Sequence, residues 1–307
     1  MSVNSKLLGL LCVVLFVKCT KEINLPYPDY EAKVILTGIL NPDSMISVQL
    51  LKTLPALSTE TIYPAITNAK VLCYENNKLL GELKNGENGY YRLNLRPQSA
   101  KKYRIEATIN DLIVSAEDSI PLPVVYDLTI TAPVKDERNN NNPEVIFNRA
   151  ATTTPVYTWL FIGLNYKRSL GVYEPLVTQF GTTSFASTSP YLDTFNSFLN
   201  FNGKKAFSGN ATRIKPEFNQ NIQFSFSPNN TLLRDSTLYV QVSTVSKNYD
   251  TYLKSSINAY QTRLTNRDGE INNPFSEPVK IYSNVKNGVG IFGAMRTQRF
   301  LLKNTKR

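Results

Sequence analysis

From residue 33 onward, apolar and polar positions alternate over most of this chain, and that pattern predicts short strands rather than helices. Lys33 to Leu40 reads as a first strand and Asn41-Pro42-Asp43 as a turn. Ile46-Ser47-Val48-Gln49-Leu50 then places every second side chain on an apolar face. Val71 to Glu75 and Leu79 to Leu83 flank Asn76-Asn77-Lys78, a hairpin connection whose asparagines tolerate the left-handed backbone conformation. After Gly86 and Gly89, Tyr91, Leu93 and Leu95 alternate with Arg92 and Asn94; Tyr103, Ile105, Ala107 and Ile109 then lead through Asn110-Asp111 into a strand from Leu112 to Ala116. About seven such strands with turn signals between them predict an immunoglobulin-like or transthyretin-like β-sandwich over residues 32–122. Pro121-Leu122-Pro123 closes it.

The chain beyond residue 122 predicts a second β-rich domain, 123–307, carrying one or two helices, so the fold class is mainly β. Val124 to Thr131 opens it, and Asn139 to Asn142 reads as a solvated loop. Val145-Ile146-Phe147 and Val156 to Leu164, which contains the sole tryptophan Trp159, read as strands, as do Ile222 to Phe226 and Leu238 to Val245. A short helical turn is expected around Tyr191 to Leu199. One true helix stands out near 246–264, because Tyr249, Tyr252, Leu253, Ile257, Tyr260 and Leu264 share one face at 3.6-residue spacing and Ser246 is placed to cap it. Asn272-Asn273-Pro274 ends that segment, with Val279 to Ser283 and Val289 to Phe292 expected as closing strands.

The amino terminus follows a different pattern. Leu7 to Val17 is an apolar run of eleven residues behind one lysine, short of the ~20 that a spanning helix needs, and it fits the apolar region of a signal peptide over residues 1–18. Cys19 follows almost directly, where a bacterial lipoprotein is cut and acylated. Several acyl chains hold firmly where one holds marginally, each buried methylene contributing ~0.8 kcal/mol. Lys18 departs from the small residue usual before a lipidated cysteine, so an ordinary signal peptide and an uncleaved anchor are the alternatives. Residues 19–31, with Pro26 and Pro28 keeping the chain extended, form a tether.

Composition narrows the chemistry. Apolar residues make up 42% of the 307 and charged residues 19%, which indicates a folded chain long enough to bury a core. Removing Lys6 and Lys18 lowers the formal charge from +10 to +8, and the remaining basic residues are scattered, which argues for a solvated surface and against a nucleic-acid partner. Cys12 and Cys19 belong to the leader, leaving Cys73 alone in an apolar strand, where a buried, inert thiol is expected. The sequence holds no histidine, which removes Ser-His-Asp and Cys-His machinery and the common zinc sites. No cofactor is expected.

Three groups of residues bear on chemistry. Asn266, Asp268, Gly269 and Glu270 offer oxygen ligands around a glycine turn, but the spaced calcium-loop pattern is missing and a plain turn is expected, with no metal. Glu117-Asp118 and Asp136-Glu137 are adjacent acids, read as loop charges. The 17 tyrosines and 15 phenylalanines belong mainly to core and strand pairs; rings left exposed would stack on sugars or form a protein interface at positions the sequence does not name. No catalytic set emerges.

Cys19-Thr20-Lys21-Glu22-Ile23, the run Asn68-Ala69-Lys70-Val71 followed by Gly89-Tyr90-Tyr91, and the tail Asn273-Pro274-Phe275-Ser276-Glu277-Pro278-Val279 with Tyr282-Ser283-Asn284-Val285 and Gly288-Val289-Gly290-Ile291-Phe292-Gly293 resemble the lipoprotein family called domain of unknown function 4249. The resemblance spans the whole mature chain. It implies an outer-membrane lipoprotein of Bacteroidota, often encoded beside TonB-dependent receptors, with no established activity. Lys21-Glu22 partly resembles the surface-export signal of such lipoproteins. The expected function is therefore a non-catalytic surface module, lipid-anchored through Cys19 in the outer membrane, that binds a small ligand or glycan or docks against an outer-membrane receptor barrel. The periplasmic face is the other orientation. A carboxylate-dependent, glycan-directed hydrolase and a structural or adhesive envelope protein are the alternative readings.

Overall fold

The computed structural model describes residues 30–55, 58–135, 141–149, 152, 154–167, 173–176, 185–186, 192–198, 208–216, 222–226, 236–261 and 279–302. The first strands follow the alternation closely: β1 (Val34–Leu40), β2 (Ile46–Lys52), β3 (Lys70–Glu75), β4 (Lys78–Asn85), β5 (Tyr90–Leu93), β6 (Lys102–Ile109) and β7 (Leu112–Ser119). On β1, Val34, Leu36 and Leu40 point inward, and on β6 Tyr103, Ile105 and Ala107 do the same. The β3–β4 hairpin turns through Asn76 and Asn77 with φ of 47° and 69°, the left-handed pair that lets a two-residue turn match the strand twist.

The later strands are β8 (Tyr126–Lys135), β9 (Asn141–Arg149), β10 (Tyr157–Lys167), β11 (Tyr173–Leu176), β12 (Phe185–Ala186), β13 (Leu192–Phe198), β14 (Ser208–Ile214), β15 (Ile222–Phe226), β16 (Ser236–Val245) and β17 (Val289–Leu302). Helix α1 spans Lys247–Gln261. Among the described residues, hydrogen bonding joins thirteen strands into one mixed sheet in the order β13-β14-β10-β16-β17-β1-β2-β5-β4-β3-β6-β7, with β11 beside β10. A four-stranded sheet, β12-β15-β9-β8, stands apart from that path. Lys33–Arg307 group as one compact unit.

Strand β17 holds the large sheet together. Its first half runs parallel to β1, from Ile35 opposite Val289 to Leu40 opposite Ala294, and its second half runs antiparallel to β16, from Val245 opposite Met295 to Leu238 opposite Leu302. Because successive side chains point to opposite faces, Phe292 and Ala294 enter the core built from β1 to β7, while Ile291 and Met295 enter a second core with Trp159, Val245, Tyr249, Leu253 and Ile257. Both faces are covered, so Ile291-Phe292-Gly293-Ala294-Met295 reads as a continuous apolar run rather than an alternating one. Two glycines permit this. A Cβ on Gly290, whose φ is +120°, would sit 2.2 Å from the Leu36 carbonyl oxygen, and one on Gly293 would sit 2.9 Å from Tyr249.

The sheet edge at β7 is covered by the chain that leads into β17. Ser115 and Lys286 exchange backbone hydrogen bonds of 3.2 and 2.7 Å, Asn287 donates 3.0 Å to the Ile113 carbonyl, and Asn284 donates 3.1 Å to that of Glu117. An edge that would otherwise offer unpaired groups to another chain is thereby occupied.

Three sequence expectations are corrected. Tyr191 to Leu199, expected as a helical turn, contains strand β13, which pairs with β14 along its whole length; partners distant in sequence override a weak local preference. Val279 to Ser283 is not a strand. The Tyr282 N–H bonds the Ser255 hydroxyl at 2.9 Å, a side-chain partner on α1, where a strand would need a backbone one. Asn141 and Asn142, expected in a loop, open β9 opposite Lys135 and Val134. The helix forms as expected through Gln261; Leu264 and Asn139 lie outside the described residues.

Candidate functional site

The polar chemistry of the described chain gathers where β16 gives way to α1. Ser246 ends the strand and caps the helix, its hydroxyl accepting the Tyr249 N–H at 3.2 Å and the Ala294 N–H at 3.3 Å. It donates its own proton to Asp118 Oδ2 on β7. One donor and two acceptors are all a hydroxyl has, so Ser246 is fully engaged. Asp118 Oδ1 accepts the Ser119 N–H at 2.8 Å and the Asn248 amide at 3.4 Å, and Tyr282 donates 2.8 Å to Asn248 Oδ1. Burial pushes the Asp118 carboxyl up to about 6, with the hydrogen bonds from Ser246, Ser119 and Asn248 pulling the other way.

A second network lies one helical step further on. Arg213 on β14 clasps Asp250 with two hydrogen bonds, Nε to Oδ1 at 2.7 Å and a terminal nitrogen to Oδ2 at 2.9 Å. The Trp159 indole donates 3.0 Å to the same Oδ1, and Lys254 Nζ lies 3.8 Å from Oδ2. Asp250 is 1% exposed and sits in the first turn of α1, where a negative charge also complements the helix dipole. Nearby, the Tyr126 hydroxyl shares hydrogen bonds with Thr158 at 3.1 Å and Thr244 at 2.5 Å, and Arg149 donates 3.0 Å to the Val156 carbonyl. These groups tie β7, β10, β14, β17 and α1 together.

The residues singled out from sequence fare differently. Cys73 is buried as expected, and its thiol is pushed up to about 12 by burial and by the charge of Glu75, a state in which it is a poor nucleophile. Glu117 and Asp118 are not loop charges: both lie on β7, and alternation sends them to opposite sides. Glu117 pairs with Lys102 at 2.7 Å at the surface, which lowers its carboxyl, whereas Asp118 turns inward. Cys19, Asp136, Glu137, Asn266, Asp268, Gly269 and Glu270 lie outside the described residues. Trp159, Tyr91, Tyr103, Phe147 and Phe292 are among the largest fully buried side chains, whereas Tyr63 is 50% exposed.

Asp250, Arg213 and Trp159 were not legible as a group, for 91 residues separate Trp159 from Asp250 and 37 separate Arg213 from it. One signal was available. Asp250 falls on the same helix face as Leu253 and Ile257, and a carboxylate on an apolar face requires a buried partner. Among the described residues, no three His, Cys, Asp or Glu side chains are grouped to hold a metal ion, and no helix is long and apolar enough to cross a membrane.

The family described as domain of unknown function (DUF4249) matches residues 20–300. No curated protein matches. Two solved structures with remote likeness are a Salmonella alpha-2-macroglobulin mutant, 14% identical over 74% of this chain and 14% of that one with a TM-score of 0.22, and a protein from Corynebacterium diphtheriae described as membrane anchored, 14% identical over 71% of this chain and 55% of that one with a TM-score of 0.22. This chain therefore spans a small part of the first and about half of the second.

Proposed function

We propose that this chain, which belongs over residues 20–300 to the domain of unknown function 4249 family, is a lipid-anchored, non-catalytic β-rich module that docks against an outer-membrane receptor barrel or holds a ligand for it. The observation that supports this reading is how the buried polar groups are used. Asp118, Ser246, Asp250 and Arg213 are each bound to partners on other elements, an arrangement that stiffens a scaffold. The apolar run Leu7 to Val17 followed by Cys19 supplies the means of anchoring.

Purification of the tagged full chain from gently solubilised membranes tests the proposal. A receptor barrel recovered in stoichiometric amount supports it, as does a small ligand or glycan that raises the melting temperature. A clean monomer that no ligand stabilises overturns it. Mass spectrometry of the mature amino terminus reports acylation of Cys19 directly. The glycan-directed hydrolase draws on one observation, the raised carboxyl of Asp118, which resembles a general acid. Glycan cleavage by the wild-type chain that is lost in Asp118→Asn, with folding intact, would put that reading first.

A further inference from the structure

Strand direction sorts the exposed apolar side chains by end. β1 leaves the tether at Val34, β2 finishes opposite it at Lys52, and β17 starts beside it at Val289. The loop before Pro64 is pinned to the same end, because the Lys52 N–H donates 2.8 Å to the Pro64 carbonyl. The β6–β7 turn is pinned there too, through the hydrogen bond from Asn287 to Ile113. Four of the exposed large hydrophobic residues described lie at this end: Ile62 (81% exposed), Tyr63 (50%), Leu112 (43%) and Ile113 (53%). They come from two separate segments, so no single loop accounts for them. The described chain begins at Tyr30, eleven residues beyond Cys19.

We propose that this end of the β1–β7 unit is a lipid-contacting face, on which Ile62, Tyr63, Leu112 and Ile113 rest in the headgroup boundary of the membrane that holds Cys19. The inference rests on the anchoring proposed above and names the part of the protein that meets the lipid. Eleven tether residues reach at most about 40 Å when extended, so the face lies within range of the bilayer without being forced onto it. Tyrosine suits such a position, its ring being apolar and its hydroxyl wet, and isoleucine and leucine tips gain by leaving water. Charge does not drive the contact. The exposed Lys33, Lys52, Lys70, Lys84 and Lys286 of this end are only partly offset by the exposed Glu60, Glu87 and Asp111, so the contact is ascribed to the apolar tips and not to a strong basic patch. Binding by this face therefore proceeds on neutral lipid, and anionic lipid only adds to it.

The full acylated chain reconstituted in phosphatidylcholine vesicles provides the test. An environment-sensitive dye is placed through Ile62→Cys in one sample and through Leu79→Cys in another, since Leu79 lies on the β3–β4 hairpin at the opposite end. Lipids brominated along their acyl chains should quench the dye at 62 at least about threefold more than the dye at 79, as expected for side chains ~5–10 Å into the boundary. The variant Ile62→Ser/Tyr63→Ser/Leu112→Ser/Ile113→Ser should still float with the vesicles through its lipid while a dye on Lys33→Cys loses its quenching. Flotation with equal quenching at 62 and 79 overturns the face and leaves anchoring intact. Quenching at 62 that needs anionic lipid, or shielding of 62 only by a co-purified receptor, also overturns it. Failure of the chain to float, with no acyl mass on Cys19, overturns the anchoring and this inference with it.

Discussion

Ser246 carries more than its place in the sequence implies. Ser246→Ala removes the helix cap and leaves the Ala294 N–H and Asp118 Oδ2 without that partner, so the folded state should lose about 2–4 kcal/mol in denaturant unfolding. Asp118 adds a pH dependence whose sign follows from its shift. Its folded carboxyl, pushed up to about 6 from an ordinary 3.8, binds protons that the unfolded chain releases, so stability should fall as pH rises between those values, by a total of order 3 kcal/mol. Asp118→Asn should flatten that slope in urea titrations at pH 4 and pH 7. Its absolute stability is a poorer readout, since the new amide nitrogen would face donors. Asp250 is a charge that is paired. Asp250→Asn removes the carboxylate that accepts two hydrogen bonds from Arg213 and one from Trp159 and should destabilise by ~3–5 kcal/mol, while the double replacement Asp250→Leu/Arg213→Met should recover a large part of the loss.

Among the elements, α1 was announced through Gln261 by its tyrosines and leucine at helical spacing and by Ser246, and the structure places Tyr249, Leu253 and Ile257 in the second core. The β3–β4 hairpin was equally plain, because Asn76 and Asn77 adopt the turn that few other residues tolerate. β17 was read too short. Period-two alternation marks a strand with one wet face, and β17 is covered on both sides at its start and pairs with β16 beyond it. Its sensitivity should lie at Gly290. Gly290→Ala puts a methyl group into the Leu36 carbonyl at a backbone angle that L-residues avoid, and the melting temperature should drop in line with a loss of about 2–4 kcal/mol.

At the scale of the molecule, the chain closes on itself: β17, last in the described sequence, pairs with β1, the first strand, and gives Phe292 and Ala294 to the core of β1 to β7. A chain ending at Gly288 should therefore lose cooperative unfolding in residues 34–119 as well, with hydrogen exchange there rising to nearly unprotected rates. The sequence by itself determined the mainly β class, the positions of the first seven strands and the helix, the burial of Cys73 and the family, since alternation, turn residues and caps are local and act within a few residues of where they are written. Only the tertiary structure decided that β1 lies beside β17, that Asp118 faces inward to Ser246, that Arg213 meets Asp250, and that four apolar tips share one end with the start of β1. Those pairings join residues tens to hundreds apart, and their free energy comes from excluding water between surfaces that the linear order does not bring together.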